Sequence, residues 1–376
     1  AKKTAAGFHC IKFGSIWKIV SLGNWILCFL YILIQYSNLP VKMIACLKVK
    51  RHEDEDEDGQ TFFSKNGGVL LEELIAFCDG KSNPIRHFSA KELLRATNCY
   101  DAHQIFVQDT GYKLYKGSLT DRPIFVKKYD SSWSSLAVNP YKDIAIGSQM
   151  SVHKNVLKVI GCCLETETPT IVYEFAGTKR LSTFISATNV QPPPWKCKLK
   201  IAIGLANAVA YLHTAFSRPV IHRGIKCSKI ILDENNVHKL IDFGLCISIP
   251  EGQSHVKRAI IGTAGWWVPP EYWARGYITE KVDVYQFGLF LFELLSGHGL
   301  AYLPMNDTLD IGELSFEKFT DAVDWRIKYE VIDREQLLNV ETLINRCTSY
   351  DEEKRPTMIE VGKELKQIDQ SFTSPC

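Results

Sequence analysis

The pattern of hydrophobic and polar residues in the middle of the chain is typical of short strands. From about Tyr100 the apolar residues come in brief runs rich in β-branched and aromatic side chains, separated by polar or glycine positions. Three of these runs are predicted strands, at residues 113–117, 124–127 and 170–175. Their length and spacing predict a small β-rich lobe.

After Trp195 the apolar residues recur at helical spacing, over residues 198–214 and 279–296. Thr279 is a suitable N-cap for the second helix, and Gly297 follows its end. Strands first and helices afterwards predict an α+β protein, with a small β-rich N-lobe and a larger helical C-lobe.

A long apolar stretch precedes both lobes. Residues 19–41 contain no charged side chain and exceed the roughly 20 residues that span a bilayer. A transmembrane anchor and a cleaved signal peptide are two interpretations of this stretch. A third is that residues 1–42 are an upstream artefact absent from the natural product, because the first methionine is Met43. The sequence leaves all three open.

Residues 53–58 are six consecutive acids, which repel one another and stay solvated, so we interpret them as a flexible linker. Helical spacing returns over residues 69–75 and predicts a helix that ends near Gly80. Ser89 and Glu92 form a capping box that opens another helix. The predicted organisation is an N-terminal stretch at 1–42, a basic and acidic linker with a short helix at 43–87, and a folded domain at 88–370.

Composition narrows the classes of function. Hydrophobic residues make up 46% of the chain, which excludes disorder over most of its length. The net charge of +2 argues against a general nucleic-acid binder. The 12 cysteines contain no C-x-x-C pair, so we interpret them as mostly reduced, buried thiols without metal-ligand spacing.

Six short motifs occur in an order that resembles a eukaryotic protein kinase domain. Residues 124–127, Ile-Phe-Val-Lys, stand where that family has Val-Ala-Ile-Lys. The other five are His222-Arg223-Gly224-Ile225-Lys226, Asp242-Phe243-Gly244, Pro269-Pro270-Glu271, residues 283–288 and Arg355-Pro356-Thr357. The resemblance covers residues 88–365 and implies a bilobal protein kinase fold.

Finer features resemble plant receptor-like kinases of the wall-associated type. These features lie at residues 88–97, 161–165 and 262–265. Residues 70–75 and 81–86, together with the altered site positions, resemble a small plant clade of pseudokinases. Members of that clade act as adaptors for nucleotide-binding leucine-rich-repeat immune receptors.

Phosphoryl transfer in the kinase family needs a glycine-rich loop over the phosphates, bound metal ions and a carboxylate that orients the nucleophile. In the matching loop of this chain, Val107, Asp109 and Tyr112 replace the three glycines. Asp109 would place a negative charge near phosphate oxygens. The resemblance therefore implies a degraded nucleotide loop.

Lys127 matches the lysine that contacts the phosphates, and Asp143 replaces its glutamate partner with a shorter side chain. A pair between them would need the helix that carries Asp143 to move closer. Phe125 replaces the small alanine of the adenine pocket, so its ring is expected to fill part of that volume. We therefore expect ATP and Mg to bind weakly at most.

The catalytic loop departs furthest from the family. Gly224 replaces the catalytic aspartate and has no side chain to accept a proton. Lys229 replaces the asparagine that binds the second magnesium, and an ammonium group competes with a cation for the same space. Lys226 and Asp242 are retained, as a phosphate contact and a metal ligand. By the same resemblance, Glu271, Asp283 and Arg355 hold the large lobe together, with Arg355 paired to Glu271.

The activation segment carries Lys257 and Arg258 where wall-associated kinases often carry threonines. These cations would repel Arg223, which pairs with phosphate in other members of the family. Trp266 and Trp267 follow shortly after. Positive charge beside aromatic side chains predicts an interaction surface.

The resemblance implies a catalytically inactive kinase fold that acts as an adaptor in plant immune signalling. Its expected partners are a leucine-rich-repeat immune receptor and an active cytoplasmic kinase, in the cytoplasm or at the cytoplasmic side of the plasma membrane. The alternative is a Ser/Thr protein kinase with residual ATP-dependent phosphotransfer, against which Gly224 and Lys229 argue.

Overall fold

A computed structural model describes residues 54–79, 83–109, 111–130, 138–187, 191–260, 265–297, 316–324 and 334–370. Residues 19–41 and Met43 lie outside the described residues, so the interpretations of the N-terminal stretch stay predictions. Among the described residues, no helix is both long and apolar enough to cross a bilayer.

A six-stranded sheet forms the N-lobe, in the order β1-β5-β6-β4-β3-β2. Its strands are β1 Arg86–His87, β2 Ile105–Asp109, β3 Tyr112–Leu119, β4 Arg122–Tyr129, β5 Val159–Cys163 and β6 Thr170–Glu174. The predicted strands at 113–117 and 124–127 are confirmed within β3 and β4, and the predicted strand at 170–175 matches β6 except for its last residue. In the centre of the sheet, Lys127 on β4 lies in register with Leu114 on β3 and Ile171 on β6.

Three helices accompany this sheet: α1 Asp54–Cys78, α2 Ala90–Ala96 and α3 Pro140–Met150. The predicted capping box at the start of α2 is confirmed, with both the Ser89 and the Glu92 hydrogen bonds formed. At the start of α3 the Asn139 side chain accepts hydrogen bonds from two backbone N–H groups, and Pro140 occupies the first turn. This N-terminus aims Asp143 into the protein, where it is fully buried.

Helices dominate the C-lobe, as predicted. The described helices are α4 Leu181–Ser186, α5 Trp195–Thr214, α6 Pro270–Arg275, α7 Glu280–Ser296, α8 Phe316–Ala322, α9 Arg334–Cys347 and α10 Met358–Gln370. Helix α7 begins with Thr279 as its N-cap and ends before Gly297, whose φ of 74° is left-handed. Both predicted ends of this helix are therefore confirmed.

Short strands connect the helices of the C-lobe. They are β7 Lys179–Arg180, β8 Val220–Ile221, β9 Ile230–Leu232, β10 His238–Leu240, β11 Ile247–Ser248, β12 Val256–Lys257 and β13 Tyr277–Ile278. Strands β9 and β10 form an antiparallel pair in which Ile230 lies opposite Leu240. This pairing brings the residue before β9, Lys229, close to the residues that follow β10.

Two buried carboxylates hold the C-lobe together, as predicted. The guanidinium of Arg355 donates from both terminal nitrogens to the two oxygens of Glu271, each at 2.8 Å. The carboxylate of Asp283 accepts from the backbone N–H groups of His222 and Arg223, at 2.7 and 2.8 Å. The Arg355–Glu271 pair joins two distant parts of the C-lobe, and the Asp283 bonds fix the backbone of the catalytic loop.

The interpretation of the acidic run as a flexible linker is wrong for residues 54–58, because these acids form the first turns of helix α1. Aspartate and glutamate at a helix N-terminus are stabilised by the unpaired N–H groups and the helix dipole. The helix is also much longer than predicted, with 25 residues. Its C-terminal end at Cys78 agrees with the predicted end near Gly80, which itself lies outside the described residues.

Helix α1 packs against the N-lobe along α3. Asn66 is fully buried and donates through Nδ2 to the carbonyl oxygens of Leu164 and Thr166, both at 2.8 Å. The Tyr141 hydroxyl of α3 donates to Asn66 Oδ1 at 2.7 Å. The end of α1 contacts the C-lobe through Phe77, which joins its hydrophobic core. Helix α1 is therefore packed onto both lobes.

Strand β1 lies parallel to β5, where Arg86 is in register with Gly161. A Cβ atom at Gly161 would lie 2.2 Å from the carbonyl oxygen of Arg86 and 2.3 Å from the Phe88 ring. We predict that Gly161→Ala displaces β1 and lowers the free energy of unfolding by about 1–3 kcal/mol, as overpacking does. Chemical denaturation followed by circular dichroism measures the change.

The matched control is Gly68→Ala, on an exposed position of α1 where no atom lies within 4 Å of the new Cβ. Because alanine is a better helix former than glycine, the free energy of unfolding of this variant is expected to rise by about 0.5–1 kcal/mol. Equal stability of the Gly161→Ala variant and the unmodified protein would contradict the close packing of β1 on β5.

Candidate functional site

The cleft between the lobes collects most of the site residues predicted from the sequence. The turn between β2 and β3 covers it from above, and β4 supplies Phe125 and Lys127. Helix α3 contributes Asp143 from the N-lobe, while Lys229 and Asp242 flank the β9–β10 pair on the C-lobe side. The backbone N–H of Ile241 donates to the carbonyl of Lys229 at 3.0 Å, which holds these last two residues side by side.

Lys127 forms two buried ion pairs. Its Nζ atom lies 2.5 Å from Asp143 Oδ2 and 2.6 Å from Asp242 Oδ1. The pair with Asp143 thus forms despite the shorter side chain. Asp143 also accepts from the Tyr129 hydroxyl at 2.5 Å and from the Phe243 backbone N–H at 2.8 Å. Every charged group here has a partner, which buried charges require.

Lys229 occupies the opposite side of Asp242. Its ammonium group contacts Asp242 Oδ2, and its Nζ lies 2.7 Å from Asp109 Oδ2 and 3.1 Å from the Tyr112 hydroxyl. Both oxygens of Asp242 therefore face an ammonium nitrogen, one from each lysine. Asp109, expected to repel phosphate, instead turns its carboxylate toward the cation of the catalytic loop.

Electrostatics keep this cluster ionised. Burial disfavours the charge on Asp242, but Lys127 and Lys229 outweigh it and hold the pKa of Asp242 below its ordinary value. Burial likewise opposes the charge on Lys229, yet Asp242, Tyr112 and Asp109 raise its pKa well above the ordinary value. Against the cost of burial, Lys229 and Lys226 lower the pKa of Asp109.

Aromatic rings fill the upper part of the cleft. Phe125 is fully buried and stacks on Phe106, with ring centroids 4.9 Å apart and an interplanar angle of 19°. The ring of Phe175 lies 4.9 Å from Phe125 on another side. Phe125 therefore fills space as expected. Phe106 and Phe175 pack against it, and sequence reasoning missed both of them.

Two altered positions of the glycine-rich loop are buried as well. Val107 is 1% exposed, and Tyr112 is completely buried. The Tyr112 ring lies under the lysines, with the Lys127 Nζ 3.8 Å from its centroid. Glycine at these positions would leave open space, whereas the side chains present close it.

Gly224 offers no side chain that could accept a proton at this position, although nothing around it in the structure requires a glycine. A Cβ atom would meet Leu245 at 3.5 Å and the His222 ring at 3.6 Å, which are ordinary contacts. A side chain could therefore be accommodated. The change at this position is chemical rather than steric.

These residues do not fit a metal–nucleotide complex. The one retained carboxylate ligand, Asp242, has both oxygens engaged by lysines, and an ammonium group stands where a cation would bind. Across the described part of the chain, no cluster of three His, Cys, Asp or Glu side chains could hold a metal ion. The protein kinase family generally uses ATP and magnesium, and this donor set departs from that use.

The activation segment is held by protein groups where other kinases use phosphate. Arg223 donates through Nη2 to the Tyr272 hydroxyl at 2.9 Å and through Nη1 to the Leu245 carbonyl at 3.2 Å. The Tyr272 hydroxyl in turn donates to the Ala259 carbonyl at 2.7 Å. Strand β12 pairs with β13, which fixes the middle of the segment. Arg223 is therefore hydrogen-bonded within the fold, so its positive charge has other partners besides the positive charges of Lys257 and Arg258.

The predicted interaction surface is only partly exposed. Lys257 and Arg258 are exposed, and Trp266 is 44% exposed. Trp267 is half-buried and packs against the C-lobe core, so less of its ring than of the Trp266 ring is available to a partner. Trp273 on α6 is 48% exposed and was missed. The signal for it is helical spacing, because its neighbour Tyr272 is buried while the next position faces outward.

Comparisons with known proteins agree with this description. The profile of the family described as protein tyrosine and serine/threonine kinase matches residues 107–365. The chain is 40% identical to the non-functional pseudokinase ZED1 of Arabidopsis thaliana, over 81% of this chain and 95% of that protein. It is 37% identical to the serine/threonine-protein kinase ZRK1 of the same plant, over 85% of this chain and 95% of that protein.

A bilobal fold with this order of motifs defines a protein kinase domain, and the chain belongs to the protein kinase family. Within the family it is of the plant receptor-like type. It is 34% identical to the wall-associated receptor kinase-like 4 of Arabidopsis thaliana, over 82% of this chain and 41% of that protein.

Proposed function

We propose that this protein is a pseudokinase that acts as an adaptor in plant immune signalling and does not transfer phosphate. The observation that carries the proposal is the pairing of Lys229 with Asp242, which sets an ammonium group against the retained metal ligand. Gly224 adds a second, independent loss, because it offers no carboxylate to the nucleophile. The similarity to a protein named a non-functional pseudokinase supports the proposal.

The partners that we propose are a leucine-rich-repeat immune receptor and an active cytoplasmic kinase, with the protein in the cytoplasm or at the cytoplasmic side of the plasma membrane. We assign the second partner, the active kinase, to the surface of the activation segment. Lys257 and Arg258 offer positive charge, while Trp266 and Trp273 offer exposed rings nearby in sequence. Such a surface suits an acidic or phosphorylated protein, because arginine and tryptophan are frequent interface anchors.

The first prediction of this proposal is the absence of phosphotransfer. Loss of the base alone costs about 10²- to 10⁴-fold in rate. The purified chain, incubated with labelled ATP and magnesium, is expected to incorporate no more phosphate than its Asp242→Asn variant. This control keeps the shape of the side chain and removes the negative charge that a magnesium ion would need at this position.

Incorporation by the unmodified chain clearly above that control would contradict the proposal. It would favour the other candidate, a Ser/Thr protein kinase with residual activity. Retained Lys127, Lys226 and Asp242 favour that candidate, as does the similarity to a protein named a serine/threonine kinase.

The second prediction concerns the surface. Lys257→Glu combined with Arg258→Glu is expected to abolish the partner-dependent immune response in plant tissue, because it reverses the charge that an acidic partner would meet. Protein abundance is measured in the same samples. The matched control is Lys363→Glu with Lys366→Glu, two exposed lysines on α10.

The control is expected to keep the response. If both double variants accumulate normally and both respond like the unmodified protein, the activation segment is not the adaptor surface. Loss of the response in both would show a general effect of charge rather than a specific contact.

A further inference from the structure

Three charged groups form a continuous bridge across the cleft. Asp109 belongs to the β2–β3 turn of the N-lobe, Lys229 precedes β9 in the C-lobe, and Asp242 follows β10. The Lys229 Nζ lies 2.7 Å from Asp109 Oδ2 and also contacts Asp242 Oδ2. The sequence of charges across the lobes is therefore carboxylate, cation, carboxylate.

The chemistry of this bridge parallels that of a bound metal–nucleotide complex. In active kinases a metal cation lies between the aspartate of the Asp-Phe-Gly motif and the phosphates beneath the glycine-rich loop. Here the Lys229 ammonium takes the place of the cation, and the Asp109 carboxylate takes the place of a phosphate oxygen. The third charge, Asp242, is the one that active kinases also have.

We propose that Asp109, Lys229 and Asp242 are an internal replacement for the metal–nucleotide bridge, and that they hold the glycine-rich loop closed on the catalytic loop without any ligand. The inference does not depend on the adaptor role. It assigns a conformational function to Asp109 and Lys229. Without it, these two residues are only replacements of the glycine and the asparagine that the family has at their positions.

Burial makes this bridge stronger than a surface ion pair. The side chains of Lys229 and Asp109 are 6% and 15% exposed, so water screens their attraction little. Breaking a buried pair by removing one partner leaves an uncompensated charge in the interior. The closed loop is therefore the state in which both charges are satisfied.

The geometry of the β2–β3 turn directs the Asp109 side chain toward the catalytic loop. Asp109 and Tyr112 are in register at the ends of β2 and β3, and Gly111 between them has a left-handed φ of 86°. Tyr112 accepts a hydrogen bond from the same Lys229 ammonium, at 3.1 Å from Nζ. Both ends of the turn thus bind one cation of the opposite lobe.

Amide hydrogen exchange of the full chain without nucleotide tests the bridge. Asp109→Asn and Lys229→Met are each expected to speed exchange across residues 105–112 by about 10-fold or more, because opening of the loop no longer breaks an ion pair. Combining the two is expected to add little, within about 3-fold of the faster single variant, because both remove the same bridge. Exchange in α7, the core helix of the C-lobe, serves as the internal reference and should not change.

The control variant is Glu364→Gln, which breaks an exposed pair with Arg346 at 2.8 Å and should leave the loop unchanged. If Lys229→Met fails to fold, the Asp109→Asn variant alone tests the inference. Its side chain lies beside the turn and is more exposed than that of Lys229. Unchanged loop exchange in Asp109→Asn overturns the inference, and so do fully additive effects in the double variant. Neither result bears on whether the chain transfers phosphate, so the two proposals fail separately.

Discussion

The ammonium group of Lys229 lies between the carboxylates of Asp242 and Asp109, and the closed cleft depends on this contact. A buried charge needs partners, and these two carboxylates come from different lobes. Lys127 then satisfies the remaining oxygen of Asp242 and reaches Asp143 on α3. One network of ion pairs therefore joins the loop, the sheet, the helix and the catalytic loop.

The rest of the structure supports that network from outside. Aromatic side chains around Phe125 close the space above it, while α1 packs behind α3 through Asn66. Below, Asp283 fixes the catalytic-loop backbone, and Tyr272 holds Arg223 without phosphate. The contacts that preserve the kinase shape thus remain, although Gly224 and Lys229 stand where the family has its catalytic aspartate and a magnesium-binding asparagine.

Much of this could be predicted from the sequence, because the motifs occur in a fixed order and each replaced residue stands at a known position. The capping box at Ser89 and the N-cap Thr279 are local signals and were correct. Contacts between distant residues were not predictable in this way. Nothing near Asp109 indicates that its carboxylate meets Lys229, 120 positions later. The acids at the start of α1 were interpreted as a linker because repulsion between neighbouring charges is a local signal, whereas a helix dipole is a property of the whole helix.

The central claim is that the cleft is closed by the charges of the chain itself and not by a metal–nucleotide complex. Calorimetric titration of the unmodified protein with ATP, with and without magnesium, tests it most directly. The account predicts weak binding, with a dissociation constant above about 1 mM that magnesium changes by less than about 3-fold. Binding in the low micromolar range that is at least about 10-fold tighter with magnesium would contradict it.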